Sequence, residues 1–376
     1  VSVSPPTPTV LLHTQLFAGS ISHMMDVFRQ GMEKREAQDA ITLERWDSSP
    51  EKHLTDRKVA EAISRELSEG DIRNILTARV EKGHRIRPFL VFLMNDKKID
   101  TDTLASIGAA IELFHQATLI YDDTIDEHAN RDGNRTSIHS MFGNRIESAG
   151  IADHLATFLL VTSDRSIHEL AIEDSKKLRI ASHSALMKQR MFIAQLADKL
   201  IHQKPTHMGW TEWCLQHSYY KTSGLMAFPF VITGIVRDVS DEQQEQLERC
   251  GEALGRIYQI CDDLQDLRDP PPPGPLALSY PLAILLDHPE ELDAESYRVL
   301  EKVTKQREVL ATDVEAINWI FQDKSAYLLA MGDREISNQT AALSLPEGVS
   351  GMVEIDTLVR HAKDASYWSY TDTVRS

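Results

Sequence analysis

Two stretches decide the fold: IGAAIELFHQATLIYDDTID at residues 107–126 and GEALGRIYQICDDLQD at residues 251–266. In each, apolar residues return every three or four positions, the period of a helix face. Each then ends in the same acidic layout, Asp122-Asp123-Thr124-Ile125-Asp126 and Asp262-Asp263-Leu264-Gln265-Asp266. Residues four apart on a helix share a face, so Asp122 pairs with Asp126 and Asp262 with Asp266. Carboxylates one turn apart repel, and these sit at the negative end of a helix dipole. Something positive must offset them, and a hard cation with oxygen ligands is the natural candidate. A lone cluster of this kind reads equally well as a solvated helix end. Two identical layouts, each closing an apolar helix and each followed by a breaker, read as one shared metal site. The breakers are NRDGNR at 130–135 and DPPPPGP at 269–275, and the second cannot be helical. Mg²⁺ is held by a few carboxylates plus substrate phosphates. Two facing acidic walls therefore predict a diphosphate bound through Mg²⁺ at the mouth of a helical bundle.

Outward from these stretches the helical period continues. It predicts helices over about 11–37, 53–69, 71–95, 102–128, 135–163, 165–202, 210–236, 241–268, 276–287, 289–321 and 323–341. Strand alternation is absent, and VFLM near position 91 falls inside a helical period. The opening VSVSPPTPTV reads as a flexible tail over residues 1–10, and residues 11–376 as one all-α domain. The acidic run DEQQEQLER at 241–249 reads as a solvated helix start.

Composition narrows the function classes. Forty basic against fifty-seven acidic residues give a net charge of −17, which argues against a nucleic-acid partner. Cys214, Cys250 and Cys261 lack metal-ligand spacing and cannot all pair, which points to a reducing compartment. No uninterrupted apolar run approaches the roughly 18 residues of a membrane span, and no signal-peptide pattern opens the chain. The expectation is a cytoplasmic protein without a transmembrane segment.

Several further motifs agree in order over roughly 75–287, the motif-bearing core. Gly83-His84-Arg85-Ile86-Arg87-Pro88, Glu112-Leu113-Phe114-His115 before the first acidic motif, and Arg131-Asp132-Gly133 are three. Ala194-Gln195 with Asp198, Lys221-Thr222, and Tyr258-Gln259 before the second acidic motif complete the set. Together they resemble the trans-isoprenyl diphosphate synthases, and more broadly the class I terpenoid synthases. The resemblance implies an all-α helical bundle around a central cavity. It implies Mg²⁺, about three ions bridging the substrate diphosphate. Asp122, Asp126 and Asp262 become the main metal ligands, with Asp123, Asp263 and Asp266 behind them. Arg131 and Lys221 are expected to hold the diphosphate, with Arg87 and Gln259 as further substrate contacts. Family habit favours a homodimer. The aromatic C-terminal segment at 367–376 is expected to pack, as a lid over the mouth.

The departures from the pattern carry the functional expectation. Such synthases bind an allylic diphosphate on the aspartates and isopentenyl diphosphate on a separate basic set. Here His84 stands where that set has a lysine, and Asp132 where it has an arginine. At about 4 Å and an effective dielectric of about 20, exchanging attraction for repulsion costs several kcal/mol per charge pair. The acceptor site then reads as dismantled and the ionisation site as kept. The expected activity is a carbon–oxygen lyase: a sesquiterpene cyclase, of the fungal humulene type by resemblance. It would ionise one linear prenyl diphosphate, farnesyl diphosphate first. The alternative is a prenyl diphosphate synthase that binds its acceptor through Arg87, Arg135 and His115, or a non-catalytic partner subunit of one. Helical spacing supplies pocket residues. Thr118 and Phe114 lie one and two turns before Asp122, with Ala117 beside them; Leu225 and Phe228 follow Lys221, and Trp213 precedes it by two turns. A bulky Phe114 implies limited depth.

Overall fold

The computed structural model describes residues 43–80, 85–95, 99–125, 145–201, 204–268, 273–347, 349 and 351–374. These belong to the unit Thr42–Ser376; the remaining unit is Val1–Ile41. The expected tail over 1–10 and helix over 11–37 lie outside the described residues. So do residues 375–376, and the side chains of 364–374, where the lid was expected.

The described chain is helical almost throughout. The longer helices are α1 (Pro50–Glu66), α2 (Asp71–Val80), α3 (Ile86–Leu93), α4 (Thr101–Ile125), α5 (Arg145–His168), α6 (Asp174–Lys199), α7 (Tyr220–Val236) and α8 (Asp241–Gln265). Then come α9 (Tyr280–Asp287), α10 (Ala294–Gln306), α11 (Val314–Asp323), α12 (Ser325–Thr340) and α13 (Met352–Val374). The expected all-α architecture holds. An antiparallel pairing of Gly274 and Pro275 with Val309 and Glu308 is a small exception to the expected absence of strands. VFLM belongs to α3, as its period requires.

Local chemistry explains several starts. Ser49 accepts the Lys52 amide ahead of Pro50 at the first turn of α1. Ser240 and Gln243 form a reciprocal capping box that opens α8, so the acidic run there is a helix start as expected.

The breaks are less legible. The expected helix 71–95 is two helices, because Arg85 adopts the left-handed region at φ 52°. Its buried guanidinium is pinned between Asp56 (2.7 Å) and Glu112 (2.8 Å). The expected helix 165–202 ends at His168 and restarts at Asp174. The expected helix 289–321 is interrupted after Gln306, where Arg307 takes φ 59° and the small strand follows. The expected helix 210–236 contains a π turn at Cys214–Ser218, just before the Lys221 segment.

Helix α4 is the central element. One of its faces packs into an apolar cluster through Ala109, Leu113, Ala117 and Ile120, against Val59 and Ile63 of α1 and Leu155 and Leu159 of α5. Ala117 is therefore a core residue, not a pocket residue. Length and composition alone would let α4 cross a membrane, but its most apolar stretch is 78% buried inside the fold, as a core helix is. Helices α7 and α8 pack in close contact. A Cβ on Gly251 or Gly255 would fall 2.4 Å from the backbone of Ala227 or Ser223. Glycine is needed at both positions because backbone meets backbone there. This contact holds Lys221 and Thr222 of α7 beside the end of α8 that carries Gln259 and Asp262.

Candidate active site

Five helices surround a cavity of about 640 Å³. Its depth follows α4. Ile125 at the C-terminal end is exposed, Asp122 and Thr118 are half-buried, and Phe114 is fully buried. The mouth therefore lies at the acidic end of the helix and the floor two turns below. Helix α8 runs the same way, with Asp262 exposed near its C-terminus and Tyr258 and Gln259 half-buried behind it. Both helices turn their negative dipole ends and a carboxylate toward the mouth.

Asp122 and Asp262 line this cavity together, so the two acidic motifs do meet. Lys221, Thr222 and Leu225 of α7 line it too, as do Gln259, Thr118 and Phe114. Arg87 of α3 reaches the same space, beside His115, whose Nε2 lies 3.0 Å from its guanidinium. The expected residues Asp126 and Arg131 lie outside the described residues, as do His84, Asp132 and Arg135.

Other expected residues are placed elsewhere. Asp123 is buried and does not line the cavity. Asp266 caps the C-terminus of α8, its amide bonded to the Asp262 carbonyl, and is also off the cavity wall. Asp263 is turned inward. It accepts hydrogen bonds from the Tyr219 hydroxyl, the Gln259 amide (2.9 Å) and the Tyr280 backbone amide (2.6 Å). Burial pushes its pKa up to about 7, against those hydrogen bonds, which favour the anion. Asp263 thus clamps α8 to the π turn and to α9. Phe228 is not on the cavity wall but behind it, edge-on to Phe114 at 6.3 Å. Trp213 stacks on His217 and also misses the cavity.

Two residues without an assigned role prove central. Asp198 of α6 is buried and accepts from Lys221 (2.9 Å) and Ser218 (3.0 Å). Burial opposes a charge on Lys221, but Asp198 and Asp122 outweigh it and hold its pKa above the ordinary value. The lysine is a fixed cation next to the acidic wall. Lys188 of α6 lies under the floor, its ammonium 4.9 Å from the Phe114 ring centroid and paired with Asp164. The AQLAD string contained Asp198, but no spacing rule joins it to a lysine on another helix.

Three cavity-lining residues also carry buried polar atoms that lack partners among the described residues. These are the Arg87 Nε, the Tyr258 hydroxyl and the Gln195 Oε1, each shielded from water. Burial lowers the Arg87 pKa to about 10, against Glu112 and Tyr258, so the group remains cationic at neutral pH. The arrangement offers carboxylates, a lysine and an arginine around one cavity.

A family model described as polyprenyl synthetase matches residues 70–272, more than half of the chain. The chain belongs to that family. This polyprenyl synthetase family member is 28% identical over 197 residues to "Solanesyl diphosphate synthase 2, chloroplastic" of Arabidopsis thaliana, covering 49% of this chain and 43% of that one. It is 30% identical over 192 residues to "Geranylgeranyl diphosphate synthase" of Pantoea ananas, covering 49% and 61%. The chain thus spans about half the length of the curated relatives it matches. Its fold superposes with a TM-score of 0.65 on a geranylgeranyl pyrophosphate synthase from Corynebacterium glutamicum, complexed with isoprenyl diphosphate and magnesium. That match covers 87% of this chain and 99% of the other at 14% identity, which establishes the fold.

These findings overturn the expected sesquiterpene cyclase, its humulene-type product and its lyase chemistry. The curated relatives are named as prenyl diphosphate synthases. The physical reason is that the cyclase reading weighed two substitutions, at 84 and 132, as if they alone made the acceptor site. Arg87, a full cation, still stands on the cavity wall with His115 beside it.

Proposed function

We propose that this polyprenyl synthetase family member condenses an allylic prenyl diphosphate with isopentenyl diphosphate. The observation that carries the reading is the shared cavity. Asp122, Lys221, Asp262 and Arg87 all line it, each from a different helix. The carboxylates and lysine suit one metal-bound anionic substrate, and the further cation of Arg87 gives a second anionic substrate a place in the same cavity.

The donor chemistry suits Mg²⁺. Carboxylate oxygens from two helix ends face one space, and Lys221 stands ready beside them. Among the described residues no three metal-ligating side chains gather at one point. Mg²⁺ takes one or two carboxylates and completes its shell with water and substrate phosphate, so this two-walled layout suits it. Asp122 and Asp262 would hold it, with Asp126 four residues after Asp122 in sequence. When bound, it would neutralise charge on the departing diphosphate.

The chain's own groups then divide the work. Lys221, fixed by Asp198, supplies a preorganised positive charge where the allylic carbon–oxygen bond breaks and diphosphate leaves with the electron pair. Arg87 and His115 hold the second diphosphate, so that the isopentenyl double bond faces the cation and forms the new carbon–carbon bond. The released diphosphate then takes a proton from the adduct, whose C–H electron pair becomes the new double bond. The prenyl tail runs past Thr118 and Leu225 toward Phe114, which sets the depth available to the product.

The test is incubation of the purified protein and Mg²⁺ with geranyl, farnesyl or geranylgeranyl diphosphate, each with and without isopentenyl diphosphate. A longer diphosphate that forms only when isopentenyl diphosphate is present is expected. Its absence in every mixture would sink the reading.

A further inference from the structure

Beyond the ring of Phe114 the cavity floor is backed by a charge. Lys188 of α6 holds its ammonium over the face of that ring, 4.9 Å from the centroid, and pairs with Asp164 of α5. Its side chain is almost fully covered, whereas that of Asp164 is half exposed. Lysine seldom occupies such a place, because a charge taken from water costs free energy that one ion pair returns only in part. Burial lowers the Lys188 pKa and Asp164 opposes the shift, so the pair favours the charged form.

Helical spacing fixes its level. Gln195, Met191 and Phe192 of α6 line the cavity, and Lys188 precedes Met191 by three residues and Phe192 by four, continuing their face one turn further. The C-terminal end of α6 lies toward the mouth, where Asp198 binds Lys221 beside Asp122. Lys188 comes ten residues before Asp198, about 15 Å along the helix axis. By the same measure Phe114 is about 12 Å below Asp122. Two helices thus bring the ring and the ammonium to one depth. Phe114 lines the cavity and Lys188 does not, so the lysine is the next group that a deeper tail would meet.

Hydrocarbon is a poor neighbour for that group. A prenyl tail packed on an ammonium excludes water from it and returns no hydrogen bond. A floor made of an aromatic ring alone yields when the ring is trimmed; a floor backed by a buried cation does not. We propose that Lys188 is a specificity-determining residue, a charged stop behind Phe114 that limits the length of prenyl tail the cavity accepts. The assignment rests on the prenyltransferase reading and adds a second layer to the floor. The competing role is a structural tie between α5 and α6, which would leave product length alone.

The test compares Phe114→Ala, Lys188→Met and two double variants, Phe114→Ala with Lys188→Met and Phe114→Ala with Lys188→Arg. Methionine keeps the reach and removes the charge; arginine keeps the charge. Longest products are read after dephosphorylation. Calorimetry with Mg²⁺ gives Kd for linear prenyl diphosphates of increasing length. Each five-carbon unit that the cavity accepts should tighten binding at least about tenfold, so the length at which tightening ceases marks the stop. Phe114→Ala should move that limit by about one unit, the room of the vacated ring. Adding Lys188→Met should move it by at least one unit more, whereas adding Lys188→Arg should leave it where Phe114→Ala put it. Lys188→Met alone should keep the wild-type limit, because the ring still closes the way. Equal limits for Phe114→Ala and its Met double would overturn the assignment. Equal limits for the Met and Arg doubles would overturn it too, by making size rather than charge the cause. A longer limit in Lys188→Met alone would do the same, by making the lysine a support for the ring. If melting curves show that the Phe114→Ala background does not fold, Phe114→Leu carries the same comparisons. Failure of the wild-type protein to condense its substrates would refute the prenyltransferase reading, and the Kd limits would still decide the stop.

Discussion

Replacing Phe114 with alanine should lengthen the product. Phe114 lies eight residues before Asp122 on α4, so its ring sits two turns, about 12 Å, below the acidic mouth. Exposure falls along that path from Ile125, through half-buried Asp122 and Thr118, to 0% at Phe114. The ring is held by Phe228, edge-on at 6.3 Å, and by the Lys188 ammonium over its face at 4.9 Å. Truncating a buried phenylalanine costs about 3–5 kcal/mol. The aromatic pair accounts for about 0.5–1.5 kcal/mol of this and the cation–π contact for about 0.5–2 kcal/mol. Because one side of the ring faces the cavity, the lower end, about 3 kcal/mol, is expected. Lys188 keeps Asp164 as its partner, so the fold should survive with a melting temperature lowered by several degrees. The assay uses labelled isopentenyl diphosphate, dephosphorylation and reversed-phase separation of the alcohols by chain length. The variant should extend its products by one or more five-carbon units beyond the wild-type limit. A folded variant with the expected loss of stability but the same longest product would refute the floor assignment and the depth argument behind it.

Three further outcomes follow from the same geometry. Asp122→Ala should abolish turnover while leaving the melting temperature nearly unchanged, since the carboxylate faces the cavity; product formation at the wild-type rate would remove Asp122 from the metal site. Asp263→Asn should destabilise by about 1–3 kcal/mol, because its new N–H₂ would confront the Tyr219, Gln259 or Tyr280 donors. Asp266→Asn, on the solvent side, should be near neutral, and equal denaturation midpoints for the two would contradict the inward clamp. Gly255→Ala should cost at least about 1–3 kcal/mol by forcing α7 and α8 apart, and should also weaken activity by shifting Lys221; a wild-type melting curve would show that the helices yield more easily than their contact implies.

Much of this molecule was legible in one dimension. The period of apolar residues in 107–126 and 251–266 specified helices, and the aspartates at their ends specified a polar mouth, because helix geometry alone puts residues four apart on one face. The same rule put Phe114, Thr118 and Leu225 on the faces of Asp122 and Lys221, and all three line the cavity. It failed where position depends on a neighbouring helix. Phe228 follows Lys221 at helical spacing, yet the approach of α7 to α4 puts it behind Phe114. Asp263 sits beside Asp262 in sequence, yet the packing of α9 and the π turn claims it as a clamp. The breaks at Arg85 and Arg307 were invisible because a left-handed residue other than glycine is held by tertiary contacts; at Arg85 these are Asp56 and Glu112.

The functional expectation failed for the same reason. Charge at 84 and 132 was weighed residue by residue, whereas a binding site sums every group that packing brings to one wall. The chain by itself determined the helical class and the two acidic motifs, because those rest on spacing within single helices. Only the tertiary structure decided that Asp198 fixes Lys221 and that Arg87 still lines the cavity. Each of those depends on the distance between helices, which no local period encodes.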